Sequence, residues 1–167
     1  MIRKRMLVGT IALIVLTAMV AAGAISASDG DDDPESNGRA QIVGTWDVTV
    51  SRGPALPPVR SLQTFTRDRT MIETANDTLF RSPSHGAWEY VGRRTYATTT
   101  VFHRFSPTGA YLGTQKINAN RQLSRDGETY TAAAVSQLFD PDGNLTFSGR
   151  ATATGKRIEV ERIPDQP

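Results

Sequence analysis

Three short segments in the second half of the chain share one chemical design: Ser106-Pro107-Thr108-Gly109, Ser124-Arg125-Asp126-Gly127 and Asp140-Pro141-Asp142-Gly143. Each has a polar first residue whose oxygen can hold the backbone, a centre that tolerates the right-handed conformation, and a final glycine free to adopt a positive φ. This is the pattern of a type I turn followed by a left-handed residue, which closes a β-hairpin. The segments sit between runs rich in β-branched and aromatic residues. Those runs are Val43–Val50, Arg60–Thr66, Thr70–Ala75, Gly86–Val91, Arg94–Phe105, Ala110–Leu123, Glu128–Phe139, Asn144–Thr154 and Arg157–Arg162. No apolar pattern of helical period lasts beyond a turn or two, so the expected class is all-β, antiparallel and up-and-down, with about eight to nine strands. Two longer connections interrupt it, the Pro-rich Gly53–Pro58 and Asn76–His85, which suit mouth loops or lids.

A turn of known type fixes which residues face each other, so cross-strand pairs follow from the three segments. With Phe105 opposite Tyr111, His103 meets Gly113, Val101 meets Gln115, Thr99 meets Ile117 and Ala97 meets Ala119. With Leu123 opposite Thr129, Ala119 meets Ala133, Ile117 meets Val135 and Gln115 meets Gln137. With Phe139 opposite Leu145, Gln137 meets Phe147, Val135 meets Gly149 and Ala133 meets Ala151. The shared face then carries a row of alanines (Ala97, Ala119, Ala133, Ala151), and a tight turn at Gly92-Arg93 sets Trp88 beside it. Gly155-Lys156 reads as a further turn, with Val160 opposite Ala151. Small residues next to an indole are how a small barrel makes room inside, so this face is expected to line the lumen.

The ends of the chain bear on location. Residues 1–24 read as a secretory signal: Arg3-Lys4-Arg5, an apolar run from Met6, then small residues with cleavage as late as Ala27. Residues 25–41 form an acidic linker with almost no large apolar side chain, 42–163 a single barrel domain and 164–167 a tail. The whole chain has a formal charge of +2, but the signal holds three of its 19 basic residues and no acid, leaving 16 against 17. There is no cysteine, hence no disulfide framework and no acylated anchor. The expected location is secreted or periplasmic, in a bacterial setting, with no membrane association once the signal is removed. Arg93-Arg94 and the scattered arginines form no basic stripe interleaved with aromatics, so nucleic acid is not an expected partner.

Gly44-Thr45-Trp46-Asp47-Val48 is echoed by Gly86-Ala87-Trp88-Glu89-Tyr90. Here the chain resembles the calycin superfamily, the barrels of lipocalins, avidins and fatty-acid-binding proteins, whose first strand often opens with Gly-x-Trp. The resemblance covers the strand layout of most of 42–162 and implies a lumen that takes small apolar ligands. It also implies an arginine covering the tryptophan at the closed end. Arg157 is the nearest candidate for Trp46, although the register above points it outward. An open seam, a miscounted strand or a barrel of the allene-oxide-cyclase type stays open as an alternative.

The polar groups expected inside are His103, Gln115, Gln137, Thr99 and, at the far end beside Thr95 and Thr131, Arg121. The expected ligand-binding set is His103, Phe105, Tyr111, Gln115, Gln137 and Phe139. Trp46, Trp88, Ala97, Ala119, Ala133 and Ala151 are expected to be structural. Three functions follow, beginning with a non-catalytic exported barrel holding a small hydrophobic molecule. A filled lumen, packed by Trp46, Trp88, Phe147 and Tyr90, would instead suit a module that binds another exported protein. An isomerase or cyclase would use His103 as its catalytic group with a carboxylate such as Glu73. No cofactor is expected. His85 and His103 are the only histidines, with no clustered acids beside them, so no metal site is expected.

Overall fold

The computed structural model describes residues 41–163. The expected signal, the tail and all of the linker but Gln41 lie outside the described residues. Eight antiparallel strands close into a barrel. They are β1 (Gly44–Ser51), β2 (Val59–Phe65), β3 (Thr70–Ala75), β4 (Ser84–Gly92), β5 (Thr95–Phe105), β6 (Tyr111–Leu123), β7 (Thr129–Phe139) and β8 (Leu145–Arg157). Each pairs with the next in sequence, and β8 returns to β1. Among the described residues no helix is long and apolar enough to cross a membrane.

The expected ninth strand does not exist. Gly155-Lys156 is not a turn, because β8 runs straight through it to Arg157 and pairs with β1 from Thr152 opposite Ser51 to Arg157 opposite Trp46. Gly155 is needed there for space: a Cβ would lie 2.3 Å from the ring of Tyr130. Eight strands give the even number that antiparallel closure demands. The first part of β8, Leu145–Ala151, has β7 on one side and no strand paired on the other among the described residues.

The three turns form as expected. Gly109, Gly127 and Gly143 have φ of 82°, 78° and 87°. Their amides donate to Ser106 O, Ser124 O and Asp140 O at 2.9, 3.3 and 3.0 Å. The registers beyond them are each displaced by one residue. Phe105 does face Tyr111, but a bulge follows, so Arg104 meets Gly113 and Phe102 meets Gln115. Gly113 holds the bulge with φ 100°, and a Cβ on it would lie 2.1 Å from Phe139 O. At the second turn Glu128 joins the loop, the Thr129 carbonyl accepts from the Ser124 amide, and Leu123 meets Tyr130. At the third, Phe139 faces Leu145, and a bulge then sets Leu138 opposite Phe147.

Every slip of one residue turns a strand over. Strands β6 and β8 keep the expected faces, whereas β5 and β7 are reversed. The inner row reads Thr98, Ala119, Ala134 and Ala151 instead of Ala97, Ala119, Ala133 and Ala151. Trp88 lies opposite Thr98, not Ala97.

One end of the barrel is packed solid. Trp46, Val48, Phe65, Met71, Trp88, Tyr96, Leu123 and Tyr130 are buried there together with Ile42. The rings of Trp46 and Tyr130 lie 5.0 Å apart, and Trp88 and Tyr96 meet edge to face at 5.9 Å. The indole N–H groups donate to Ile42 O and Thr66 O, each at 3.0 Å. Arg157 does cover Trp46, contrary to the register expectation, with its guanidinium 4.3 Å from the ring centre. It donates to Gly127 O at 3.0 Å, Val43 O at 2.9 Å and Gln41 O at 2.5 Å. A delocalised, weakly hydrated cation suits this position because its edge can satisfy carbonyls while its face lies on an aromatic ring.

Candidate functional site

Above this aromatic plug the lumen holds a cavity of about 320 Å³. Its walls come from the inward sets of every strand but β4, with Arg150 and Thr152 of β8 beside them. Strands β1 and β2 give Val50, Val59 and Gln63, and β3 gives Glu73. Phe102 and Thr100 come from β5, and Gln115, Ile117, Ala119 and Arg121 from β6. Strand β7 contributes Ala132, Ala134, Ser136 and Leu138, and β8 Phe147, Gly149, Ala151 and Ala153. Small side chains on β7 and β8 leave the space. The two long connections both stand at this end, and Arg52, Leu56, Asp77 and Arg81 from them reach the cavity. The volume lies at the lower end of the range for small-molecule sites, about 300–1,000 Å³.

Two polar systems cross the lumen. The lower one rests on the plug. Arg121 donates to Thr98 Oγ1 and, at 3.3 Å, to Gln63 Oε1, which also accepts from the Tyr130 hydroxyl at 2.7 Å. The Arg121 guanidinium lies 5.5 Å from the ring centre of Phe65 and 5.8 Å from that of Tyr130. Burial pushes the Tyr130 hydroxyl above its ordinary pKa, with Arg121 opposing and Glu73 adding to the shift, so it stays a neutral donor. Burial likewise pushes Tyr96, in the plug, up to about 12.

The upper system belongs to the β3–β4 connection. Arg81 comes back into the lumen from this loop and lies 3.7 Å above the Phe102 ring, with its Nη2 3.3 Å from Glu73 Oε2 and its Nε 3.8 Å from Asp77 Oδ1. Glu73 Oε2 also accepts from Ser84 Oγ at 2.9 Å. The loop is held in place by backbone bonds to β5, Phe105 N to Phe80 O at 2.9 Å and Ser82 N to His103 O at 3.0 Å. Ser136 Oγ accepts from Gln115 Nε2 at 2.7 Å, closer to the mouth.

The residues expected to bind a ligand divide between the two sides of the wall. Gln115 lines the cavity. His103 does not: with β5 reversed it is exposed on the outer face, 5.7 Å from the Tyr111 ring. Phe105 packs on the same Tyr111 at 6.2 Å. Gln137, opposite Lys116, and Phe139, 5.5 Å from the Lys116 ammonium, also fall outside the cavity lining. The expected pair of glutamines across the hairpin is therefore replaced by Gln115 with Ser136. His103 and Glu73 face opposite sides of the wall, so the acid–base pair considered for a cyclase is not assembled. Of the alanines, Ala119 and Ala151 line the lumen, while Ala97 and Ala133 line a groove on the outer face beside Asn118 and Asn120.

Phe102, Arg81, Ser136 and Leu138 were not singled out from sequence. Phe102, Ser136 and Leu138 follow once β5 and β7 are turned over. Arg81 had no signal, since it belongs to an irregular loop. Among the described residues no cluster of three or more His, Asp or Glu side chains is placed to hold a metal ion. Comparison with family models, curated proteins and solved structures gives no match to any of them.

Proposed function

We propose that this chain is an exported, calycin-like barrel that binds a small molecule with an apolar body, without transforming it. The observation that carries this reading is the cavity of about 320 Å³ left above a fully packed plug. A barrel that needed its lumen only for stability would fill it, since interiors pack to the density of organic crystals. Phe102, Ile117, Leu138 and Phe147 offer apolar surface, and Gln115 with Ser136 offers a polar contact near the mouth. The proposed location, beyond the cytoplasmic membrane, rests on the N-terminal signal pattern.

Native mass spectrometry of the protein recovered from its own host tests the reading. The expected result is a co-purifying small molecule of fixed mass, absent from Ala134→Phe, whose ring would occupy the cavity. A second reading is favoured by the unpaired edge of β8 at Leu145–Ala151, to which a strand of another exported protein could add. Recovery of a protein partner with an empty lumen would replace the first reading with the second.

A further inference from the structure

The charge inside the lumen is unbalanced in one specific place. Four arginines line the cavity, Arg52, Arg81, Arg121 and Arg150, against two carboxylates, Glu73 and Asp77. Both carboxylates belong to Arg81, at 3.3 and 3.8 Å. Arg52 and Arg150 are exposed, so solvent can offset their charge. Arg121 is only 5% exposed, and no carboxylate lies within ion-pair distance of it among the described residues. Its partners are neutral oxygens, those of Thr98 and Gln63, and its Nε has no hydrogen-bond partner.

An isolated buried cation is costly, and a guanidinium cannot shed its charge by losing a proton. Arg121 lines the cavity, so its uncompensated charge would hold an anion placed there strongly. Phe65 and Tyr130 support the guanidinium from the plug, while Thr98 and Gln63 hold its amino groups. These contacts fix the fork before a ligand arrives, which reduces the ordering cost of binding. Glu73 is close enough to act on Tyr130 through space, as Arg121 does, but its Oε2 already pairs with Arg81 and accepts from Ser84.

We infer that the lumen recognises a compact organic acid, with its carboxylate or equivalent anionic group on Arg121 and its apolar body toward Phe102, Leu138 and Phe147. This rests on the lumen being a ligand site and adds the chemical class of the ligand. The cavity volume excludes long-chain acids from complete enclosure and suits a body of one or two rings.

The test is calorimetric titration of the full chain with matched pairs of an acid and its methyl ester: benzoate, 2-naphthoate and octanoate against the corresponding esters. At low salt the acid of at least one pair is expected to bind about tenfold or more tightly than its ester, as charge-assisted bonds outweigh neutral ones. Added sodium chloride should weaken the acid and leave the ester unchanged. Arg121→Met should bring the pair to parity with little change for the ester, and Arg121→Lys should keep part of the preference. If Arg121→Met fails to fold, Arg121→Lys and the salt dependence of the wild type decide. Equal binding of acid and ester by the wild type, or a preference that survives Arg121→Met, overturns the anion assignment and leaves the lumen reading standing. If neither member of any pair binds, both readings fall. Inorganic phosphate that competes with the acid but not the ester further supports the assignment.

Discussion

The two ends of the lumen differ in how far their polar groups are satisfied. In the plug, the N–H groups of Trp46 and Trp88 each reach a backbone carbonyl, and Arg157 is bonded to three of them. Around the cavity, Arg81, Asp77 and Arg121 retain four atoms with no hydrogen-bond partner although all are shielded from water, against one, Arg94 Nε, beside the plug. Completed hydrogen bonding with no free volume is what stability requires. Incomplete bonding beside free volume fits a site that is finished by something else. Under the proposed reading, one end of this barrel is shaped for packing and the other for contact.

That contrast can be broken by mutation. Trp46→Ala should have the largest effect, because it empties the centre of the plug and strands Arg157: about 3–5 kcal/mol of stability, read by denaturant unfolding. A loss below 1 kcal/mol would mean that the plug is not the stabilising end. Glu73→Gln should come next, at about 3 kcal/mol, since it leaves the buried Arg81 cation with only the more distant Asp77. The loss should shrink when a ligand anion is present, which no variant in the plug should show. Phe147→Ala tests the other pole. Phe147 is 56% exposed at the mouth, so stability should change by no more than about 0.5 kcal/mol while retention of a lumen ligand falls.

The smallest effect belongs to the turns. Asp126 is held below the ordinary carboxylate pKa by the Ser124 hydroxyl and then the Glu128 amide. Asp140 is held down by the Asn144 side chain and then its amide, and Asp68 by the Thr66 hydroxyl and then the Thr70 amide. A folded pKa lower than the unfolded one gives stability that is complete above about pH 4 and lost as pH falls through the folded value. Stability measured from pH 5 down to pH 2 should decline less steeply when all three are Asn. An unchanged slope would show that acid lability arises elsewhere.

Most of the architecture was legible because turn chemistry and strand composition are local. Strand β3 is found where expected, and most of the other boundaries move by a residue or two. Face assignment was not equally legible. Each of the three hairpins holds one extra residue, Leu112, Glu128 or Thr146, and local sequence does not show whether a strand will bulge. The three displacements alternate in effect, so they agreed with one another and hid themselves. The alanine row could not expose them, because Ala132, Ala133 and Ala134 are consecutive and supply an alanine to either face. The site suffered accordingly: Gln115, on a strand read correctly, is in the lumen, while His103 and Gln137, on strands read in reverse, are outside. Tyr130 held the missing clue, as a large ring after the second turn belongs inside, where Gly155 makes room for it.

The seam between β1 and β8 has a consequence for how the molecule is made. Arg157 binds the carbonyl of Val43 from 114 positions along the chain, while every other strand pairing joins neighbours in sequence. Until the last residues of β8 exist, the growing polypeptide can form only an open, curling ribbon of hairpins. Its aromatic plug then lacks one wall, and Trp46 has no cover. If the chain crosses a membrane before it folds, as proposed, such late closure is protective, because the lock is made after every hairpin. Removing Arg157 with its neighbours should therefore leave hairpins that form but never seal.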